Sequence, residues 1–271
     1  MKYAELTICL TGIALLAYWL LKTSLGRRAL ADSMPRRNNM PLYLPAILFI
    51  LWLGTSLAAI VVEELYPDLP NWQRAIVDNI VSCVGAILMV AVITILAWAH
   101  FARRLKGFGL NFRALPRDLL TAPLYLLAAW PLIMVTIWLT INIAQLVSGH
   151  DYQMQPHQQL KLAAQHPQLA LHVLIFVGAV VIGPVFEELF FRGIIQTMLL
   201  SYVPIKSKAW IAIAITSVLF ALMHEELSHR PALFVLGACM GYAYEKSGSL
   251  WRPIFIHAIF NATNVIATMS K

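Results

Sequence analysis

The sequence predicts an all-α polytopic membrane protein, a helical bundle of about eight transmembrane helices that forms one integral-membrane domain over residues 1–271. The chain is 60% hydrophobic and 12% charged, whereas soluble domains are about half apolar and about a quarter charged. Its mean hydropathy is +0.72. So little polar surface excludes a soluble enzyme, a disordered chain and a nucleic-acid partner, and it makes the lipid bilayer the expected surrounding.

Eight apolar runs follow one another along the chain, and a helix of about 20 residues crosses the hydrocarbon core of a bilayer. The first run follows Lys2 and has no small-residue cleavage site before Lys22, which predicts a retained helix rather than a removed signal peptide. The runs lie at about Ala4–Leu21, Leu42–Val62, Ile80–Phe101, Leu119–Val147, Leu169–Tyr202, Ala209–His224, Ala232–Tyr244 and Leu250–Met269.

The fifth run is too long for a simple crossing, because as an α-helix it would extend roughly 51 Å. Gly183 and Pro184 lie near its middle, where a proline removes a backbone hydrogen bond and kinks the helix. The run is therefore either one long kinked helix that crosses once or a hairpin of two shorter arms.

The distribution of basic residues favours the single crossing. Lysines and arginines cluster after the first and third runs, and a single crossing brings Lys206, Lys208 and Lys246 to the same side. Basic loops face the cytoplasm, so both termini are expected outside, and the formal charge of +7 reflects these loops. Compact loops without sorting signals favour the bacterial plasma (inner) membrane.

Ionisable side chains at membrane depth are concentrated in the second half of the chain. Residues 1–150 form helices without chemistry motifs, and residues 169–271 are expected to hold the catalytic core. A charge in mid-membrane marks either a structural pair or a functional site. Glu188 and Arg192 share a helix face and are predicted to form a structural ion pair. Glu187 is rotated by about 100° from Glu188, and the pair leaves it available for chemistry.

Other polar side chains lie in the apolar runs that follow. Phe220 and His224 end the sixth run, and His257 and Asn261 are one turn apart in the last run. A lone helical histidine is usually a hydrogen-bonded packing residue, but burying this whole set without purpose would be unfavourable. A carboxylate paired with a histidine can take a proton from water, and a second histidine with an amide can stabilise an oxyanion. The set indicates peptide-bond hydrolysis by activated water, without a covalent intermediate.

A zinc site is the less favoured alternative. The segment from His224 to His229, His-Glu-Glu-Leu-Ser-His, resembles the zincin pattern His-Glu-x-x-His with one residue too many. On a helix its two imidazoles would point about 140° apart and could not share a metal on one face. Glu187, His224 and His257 could still form a three-ligand site through space. We expect neither a metal nor another cofactor.

Three motifs, taken in their order along the chain, resemble those of the CPBP family. This family comprises the CAAX proteases and bacteriocin-processing enzymes, is also called the Abi family, and includes the type II CAAX prenyl endopeptidases. The resemblance covers the C-terminal part of the chain, and the helices before it match only in being hydrophobic. The motifs are Glu187-Glu188-x-x-x-Arg192, Phe220-x-x-x-His224 and His257-x-x-x-Asn261.

The resemblance implies an intramembrane glutamic endopeptidase that acts on a membrane-associated protein or peptide. Glu187 and His224 then correspond to the pair that activates water, and His257 and Asn261 to the pair that stabilises the oxyanion. The motif residues with a supporting role are Glu188, Arg192 and Phe220.

Two other classes of function compete with a protease. The same fold could serve as a non-catalytic membrane scaffold or bacteriocin-immunity factor that binds a peptide without cutting it. It could also be a transporter that uses Glu187 and the histidines as a proton relay. The sequence contains no evident inverted repeat or pair of broken helices, which disfavours the transporter.

Overall fold

The computed structural model describes residues 2–33, 36–65, 68–149, 151–155, 158–202 and 208–269. Within these ranges the regular structure is helical, with short 3-10 turns at Phe112–Ala114 and Leu227–His229 and no strands. The helices are α1 Lys2–Lys22, α2 Leu44–Leu65, α3 Asn71–His100, α4 Arg104–Phe108, α5 Leu115–Ser148, α6 Gln158–Gln165, α7 Leu169–Tyr202, α8 Lys208–Leu222, α9 Arg230–Ser247 and α10 Trp251–Met269.

The helices confirm the polytopic membrane bundle. Within the described ranges, α1, α2, α3, α5 and α7 are long and apolar enough to cross a membrane, and α8, α9 and α10 coincide with the last three apolar runs. Large apolar side chains such as Ile50 and Leu57 of α2 are exposed, which suits a surface covered by lipid. The orientation in the membrane stays a prediction, and Lys206 lies outside the described residues.

Helix α7 is one continuous helix, so the hairpin alternative is wrong. Two stretches of it, Gly178–Ile182 and Leu189–Gln196, are π-helical, with backbone hydrogen bonds that reach back five residues instead of four. Between them lies the α-helical segment Gly183–Glu188. The irregularity expected around Pro184 therefore takes the form of wide helical turns on both sides of it.

The contacts within the chain divide it into two compact units. Both α7 and α10 pass from one unit into the other, at Gln196 and at His257. Unit 1 comprises Met1–Pro35, Gly109–Gln155 and Gln196–Ile256, and unit 2 comprises Arg36–Phe108, Pro156–Ile195 and His257–Lys271. The functional division between residues 1–150 and 169–271 stays a prediction.

In unit 1, α1 packs against α5, α5 against α9, and α9 against α8. Gly12 of α1 allows a close approach to α5, because a Cβ there would overlap the carbonyl oxygen of Leu127. Aromatic side chains also join α1 and α8 to α9. The indole N–H of Trp19 in α1 donates to the hydroxyl of Tyr242 in α9 over 2.8 Å, and the ring of Trp210 in α8 stacks on the ring of Tyr242.

Unit 1 also contains a buried ion pair that the sequence analysis missed. The Oδ1 atom of Asp118 in α5 accepts from Nε and Nη2 of Arg252 in α10, over 3.1 and 2.7 Å. A third nitrogen of that guanidinium donates to the hydroxyl of Tyr125 over 3.1 Å. Because Asp118 is fully buried, its charge needs compensation, which comes from this guanidinium and from Nε of Arg117, 3.6 Å from the same oxygen.

In unit 2, α2 packs on α3, and α3 packs on the first half of α7. Thr55 of α2 lies against Gly85 of α3, where a larger residue would not fit. The ring of Trp52 meets those of Phe186 and Phe190 at centroid distances of 5.3 and 5.8 Å. These aromatic side chains pack beside the turn of α7 that carries the acidic pair.

The space around two glycines, Gly193 of α7 and Gly54 of α2, predicts opposite effects on stability when each is replaced by alanine. We expect Gly193→Ala to lower stability by about 1–3 kcal/mol, because its Cβ would overlap the buried ring of Phe108. Gly54→Ala is the control, since a Cβ there meets nothing within 4 Å and alanine favours a helix by up to about 1 kcal/mol. Thermal unfolding of the purified protein in detergent measures both, and a Gly193→Ala protein as stable as Gly54→Ala contradicts the prediction.

Candidate functional site

The acidic pair of α7 consists of two carboxyl groups in different surroundings. Glu188 is fully buried, and its Oε1 atom accepts from Nη1 of Arg192 over 2.8 Å. The ion pair predicted from their spacing is therefore present, and both partners are shielded from solvent. Glu187 is the more accessible of the two, with a side chain that is 25% exposed.

His257 of α10 lies between the two carboxyl groups. Its Nδ1 atom is 3.0 Å from Oε1 of Glu188, and because a carboxylate only accepts hydrogen bonds, Nδ1 is the donor. One carboxylate oxygen thus receives hydrogen bonds from both Arg192 and His257. The other ring nitrogen, Nε2, lies 3.9 Å from Oε2 of Glu187. The hydrogen bond to Glu188 therefore fixes which nitrogen faces Glu187.

Glu187 is the carboxyl group that the ion pair leaves available. Among the described residues, its buried Oε2 atom has no hydrogen-bond partner. The distance of 3.9 Å to Nε2 of His257 is too long for a direct hydrogen bond. Two polar atoms at this separation can share a water molecule that lies beside the line joining them.

Asn261 lies one turn beyond His257 on α10. Its Nδ2 atom donates to the carbonyl oxygen of Ala179 in α7 over 2.7 Å. The carbonyl can only accept, so the orientation of the amide follows from chemistry. α7 and α10 are therefore joined by two hydrogen bonds within unit 2, one from His257 and one from Asn261.

Phe220 and His224 belong to unit 1. The α8 helix ends at Leu222, so His224 lies just beyond the helix that was predicted to extend to it. Its Nδ1 atom donates to the carbonyl of Phe220 over 2.8 Å, which leaves Nε2 as the nitrogen with the lone pair in a neutral ring. Nε of Arg230 donates to the His224 carbonyl over 3.1 Å and holds the backbone of this turn.

Each predicted site residue thus has a defined place, and the roles assigned to them stay predictions. Phe220 and His224 lie together in unit 1. The residues that unit 2 brings together are Glu187, Glu188, Arg192, His257 and Asn261.

His224 and His229 do not lie on one helix, so the angle of about 140° expected between their imidazoles is wrong. The chain from His224 to Glu226 is not helical, and a 3-10 turn follows at Leu227–His229. In the part of the chain that the structure describes, no group of three His, Cys, Asp or Glu side chains has an arrangement that could hold a metal ion.

One contact of the site has no local signal in the sequence. Glu188 was assigned only to Arg192, but it also accepts from His257, which is 69 residues away. An i, i+4 spacing indicates a pair on one helix, whereas a hydrogen bond between two helices depends on how they pack.

The fold and these contacts define a polytopic membrane protein with a buried Glu–Arg–His cluster. Residues 169–263 match the family model described as Type II CAAX prenyl endopeptidase Rce1-like. The chain is also 33% identical over 97 residues to a Bacillus subtilis (strain 168) protein named "Putative membrane peptidase YdiL". These matches confirm, for this part of the chain, the resemblance to the CPBP family.

The similarity to the Bacillus subtilis relative is limited to one region. It covers 36% of this chain, and the chain spans 38% of the length of that relative. No solved structure matches the chain.

The buried ion pair of α7 predicts a large loss of stability when its cation is removed. We expect Arg192→Met to lower the free energy of unfolding by about 3–5 kcal/mol, because a buried carboxylate loses its strongest partner. Lys246→Met removes the cation of a partly exposed pair with Asp32 and should cost no more than about 1 kcal/mol. Thermal unfolding in detergent compares the two, and equal effects contradict the prediction.

Proposed function

We propose that the protein is an intramembrane endopeptidase that hydrolyses a peptide bond of a membrane-associated protein or peptide. The observation that carries the proposal is the arrangement of Glu187 and His257. Oε2 of Glu187 lies 3.9 Å from Nε2 of His257, and Nδ1 of that ring is bonded to Glu188. The description of the matching family as an endopeptidase and the name of the relative as a membrane peptidase support the same activity.

In the proposed reaction Glu187 acts as the general base. A water molecule beside its carboxylate gives up a proton to it while the water oxygen bonds to the carbonyl carbon of the substrate. The electron pair of the C=O double bond moves onto oxygen and forms an oxyanion. The C–N bond then breaks, and the leaving amine takes the proton from Glu187. The products are a carboxylic acid and an amine, and no covalent enzyme intermediate forms.

His257 is the hydrogen-bond donor in the proposed reaction. Because Glu188 holds Nδ1, the ring cannot rotate without losing that hydrogen bond. When Nε2 carries a proton, it can donate to the water before attack or to the oxyanion afterwards. Arg192 compensates the charge of Glu188, so the carboxylate can orient the histidine without leaving a net negative charge beside Glu187.

The resemblance to the CPBP family suggests the remaining parts of the mechanism. It gives His224 a role with Glu187 in activating the water, for which the lone pair on its Nε2 atom is suited. It suggests either CAAX-type processing of a prenylated C-terminus or removal of a leader peptide. The apolar sequence of α7 on both sides of Glu187 suits a substrate that reaches the site from the membrane.

Glu187→Gln is expected to abolish peptide hydrolysis, since an amide cannot take a proton from water. The purified protein would be reconstituted in vesicles and given a farnesylated peptide with a CAAX C-terminus, a leader-peptide substrate, and each peptide without its lipid or leader. Glu64→Gln makes the same chemical change at an exposed end of α2 and should leave the rate unchanged. Cleavage is measured by mass spectrometry of the products.

The competing functions give different results in the same comparison. If Glu187→Gln cleaves as fast as the unchanged protein, the general-base mechanism is wrong. If neither protein cleaves any membrane peptide, and a strain with His224→Ala and His257→Ala keeps its cellular phenotype, a non-catalytic scaffold or immunity factor is favoured. Proton uptake coupled to solute entry into the vesicles would instead indicate a transporter.

A metal-independent reaction is expected, because the proposed base and its partners are protein groups. Peptide hydrolysis by the reconstituted protein should persist after treatment with a zinc chelator, and the zinc content of the purified protein should be far below one ion per chain. Stoichiometric zinc whose removal stops cleavage, and whose return restores it, would replace the glutamate mechanism by a metal-dependent one.

A further inference from the structure

The π-helical turn of α7 explains why Asn261 contacts the backbone of that helix. In this turn the N–H of Gly183 donates to the carbonyl of Gly178, five residues earlier. In the same register the N–H of residue 184 would donate to the carbonyl of Ala179. Residue 184 is a proline and has no N–H. The Ala179 carbonyl therefore lacks the backbone donor that the helix would otherwise supply.

The side chain of Asn261 supplies the missing donor. Its Nδ2 atom reaches the Ala179 carbonyl at 2.7 Å, a good length for an N–H···O hydrogen bond. A carbonyl left without a donor is unfavourable at membrane depth, so the proline of α7 and the asparagine of α10 are complementary. This hydrogen bond supplies the donor that the Ala179 carbonyl lacks, and it also joins α10 to α7.

The position of this hydrogen bond connects it to the candidate site. Along α7, Pro184 lies one turn before Glu187 and Glu188, and along α10, Asn261 lies one turn after His257. The bond from Asn261 and the bond between His257 and Glu188 therefore join the same two helices at two levels. Two such bonds restrict both sliding and rotation of α7 against α10, which sets the distance between Glu187 and His257.

We propose that Asn261 is a positioning residue, which replaces the backbone donor that Pro184 lacks and thereby holds Glu187 at its distance from His257. This inference rests on the proposed function only for its effect on catalysis. It differs from the oxyanion-stabilising role that the resemblance implies, because Nδ2 of Asn261 donates to the Ala179 carbonyl.

A cycle of four proteins tests the inference: the unchanged chain, Asn261→Leu, Pro184→Ala, and the double variant. Asn261→Leu removes the amide donor at similar size, and Pro184→Ala provides a backbone N–H for the turn. We expect Asn261→Leu alone to lower kcat by roughly 10- to 100-fold, the range for a small misplacement of reacting groups. In the Pro184→Ala background the same substitution should change kcat by less than about threefold, because the turn has its own donor.

The cycle separates the positioning role from the oxyanion role. If Asn261→Leu lowers kcat by the same factor in both backgrounds, the amide acts on the substrate and the inference is overturned. Asn264→Leu is the matched control, since it makes the same change at an exposed position of α10 and should leave kcat unchanged. Loss of activity from this control as well would indicate a general defect of the helix and would also count against the inference.

Thermal stability keeps the inference testable if the protein cleaves none of the peptides. The hydrogen bond exists without substrate, so Asn261→Leu should lower Tm by about 2–4 °C, the shift expected from losing one such contact in a domain of this size. That loss should shrink in the Pro184→Ala background. If the protein cleaves no peptide, the proposed function fails but the Tm values of the four proteins still test the inference. An unchanged Tm in Asn261→Leu overturns the positioning role alone.

A second variant covers the case in which Pro184→Ala does not fold. Asn261→Asp keeps the size of the side chain but can donate to the Ala179 carbonyl only when it is protonated. Its Tm deficit relative to the unchanged protein should therefore be present at neutral pH and shrink as the pH is lowered. A deficit that is absent, or that is the same at every pH, contradicts the inference.

Discussion

The charge of Glu188 is the constraint on which the candidate site depends. A fully buried carboxylate in an apolar helix persists only where cations and hydrogen-bond donors compensate it, and here Arg192 and His257 donate to the same oxygen. Charge compensation and geometry are therefore linked, because the carboxylate that Arg192 neutralises also orients the imidazole of His257. Since Arg192 is paired with Glu188, the neighbouring Glu187 has its Oε2 atom 3.9 Å from Nε2 of His257 instead.

The same rule accounts for the polar contacts of α10 in both units. In unit 1, Arg252 in the first turn of the helix binds the buried Asp118, and in unit 2, His257 and Asn261 bind groups of α7. A helix with only apolar side chains can rotate about its axis in a lipid environment. Hydrogen bonds between helices form at only one rotation and so restrict it. The orientation of α10 is thus determined by its few polar residues.

The sequence predicted those features that depend on local spacing. Runs of apolar residues gave the helices, and an i, i+4 separation gave the pair of Glu188 and Arg192. The hydrogen bond of Asn261 could not be predicted in this way, because its partner is a backbone carbonyl that becomes available only through the π-helical turn at Gly178–Ile182. The sequence also does not show that α8 ends before His224, because the apolar residues continue past Leu222, the last helical residue.

The wide turns of α7 also bear on how the acidic motif can be recognised in other sequences. Each π-helical turn accommodates more residues than an α-helical turn, so deleting one residue within Gly178–Ile182 would restore ordinary winding. The residues beyond would then keep nearly the same helix face, because the narrower turn compensates for the missing residue, and Glu187 would still face the histidine. A sequence one residue shorter in this stretch can therefore carry the same acidic motif on the same helix face, with an ordinary α-helical turn in place of the wide one.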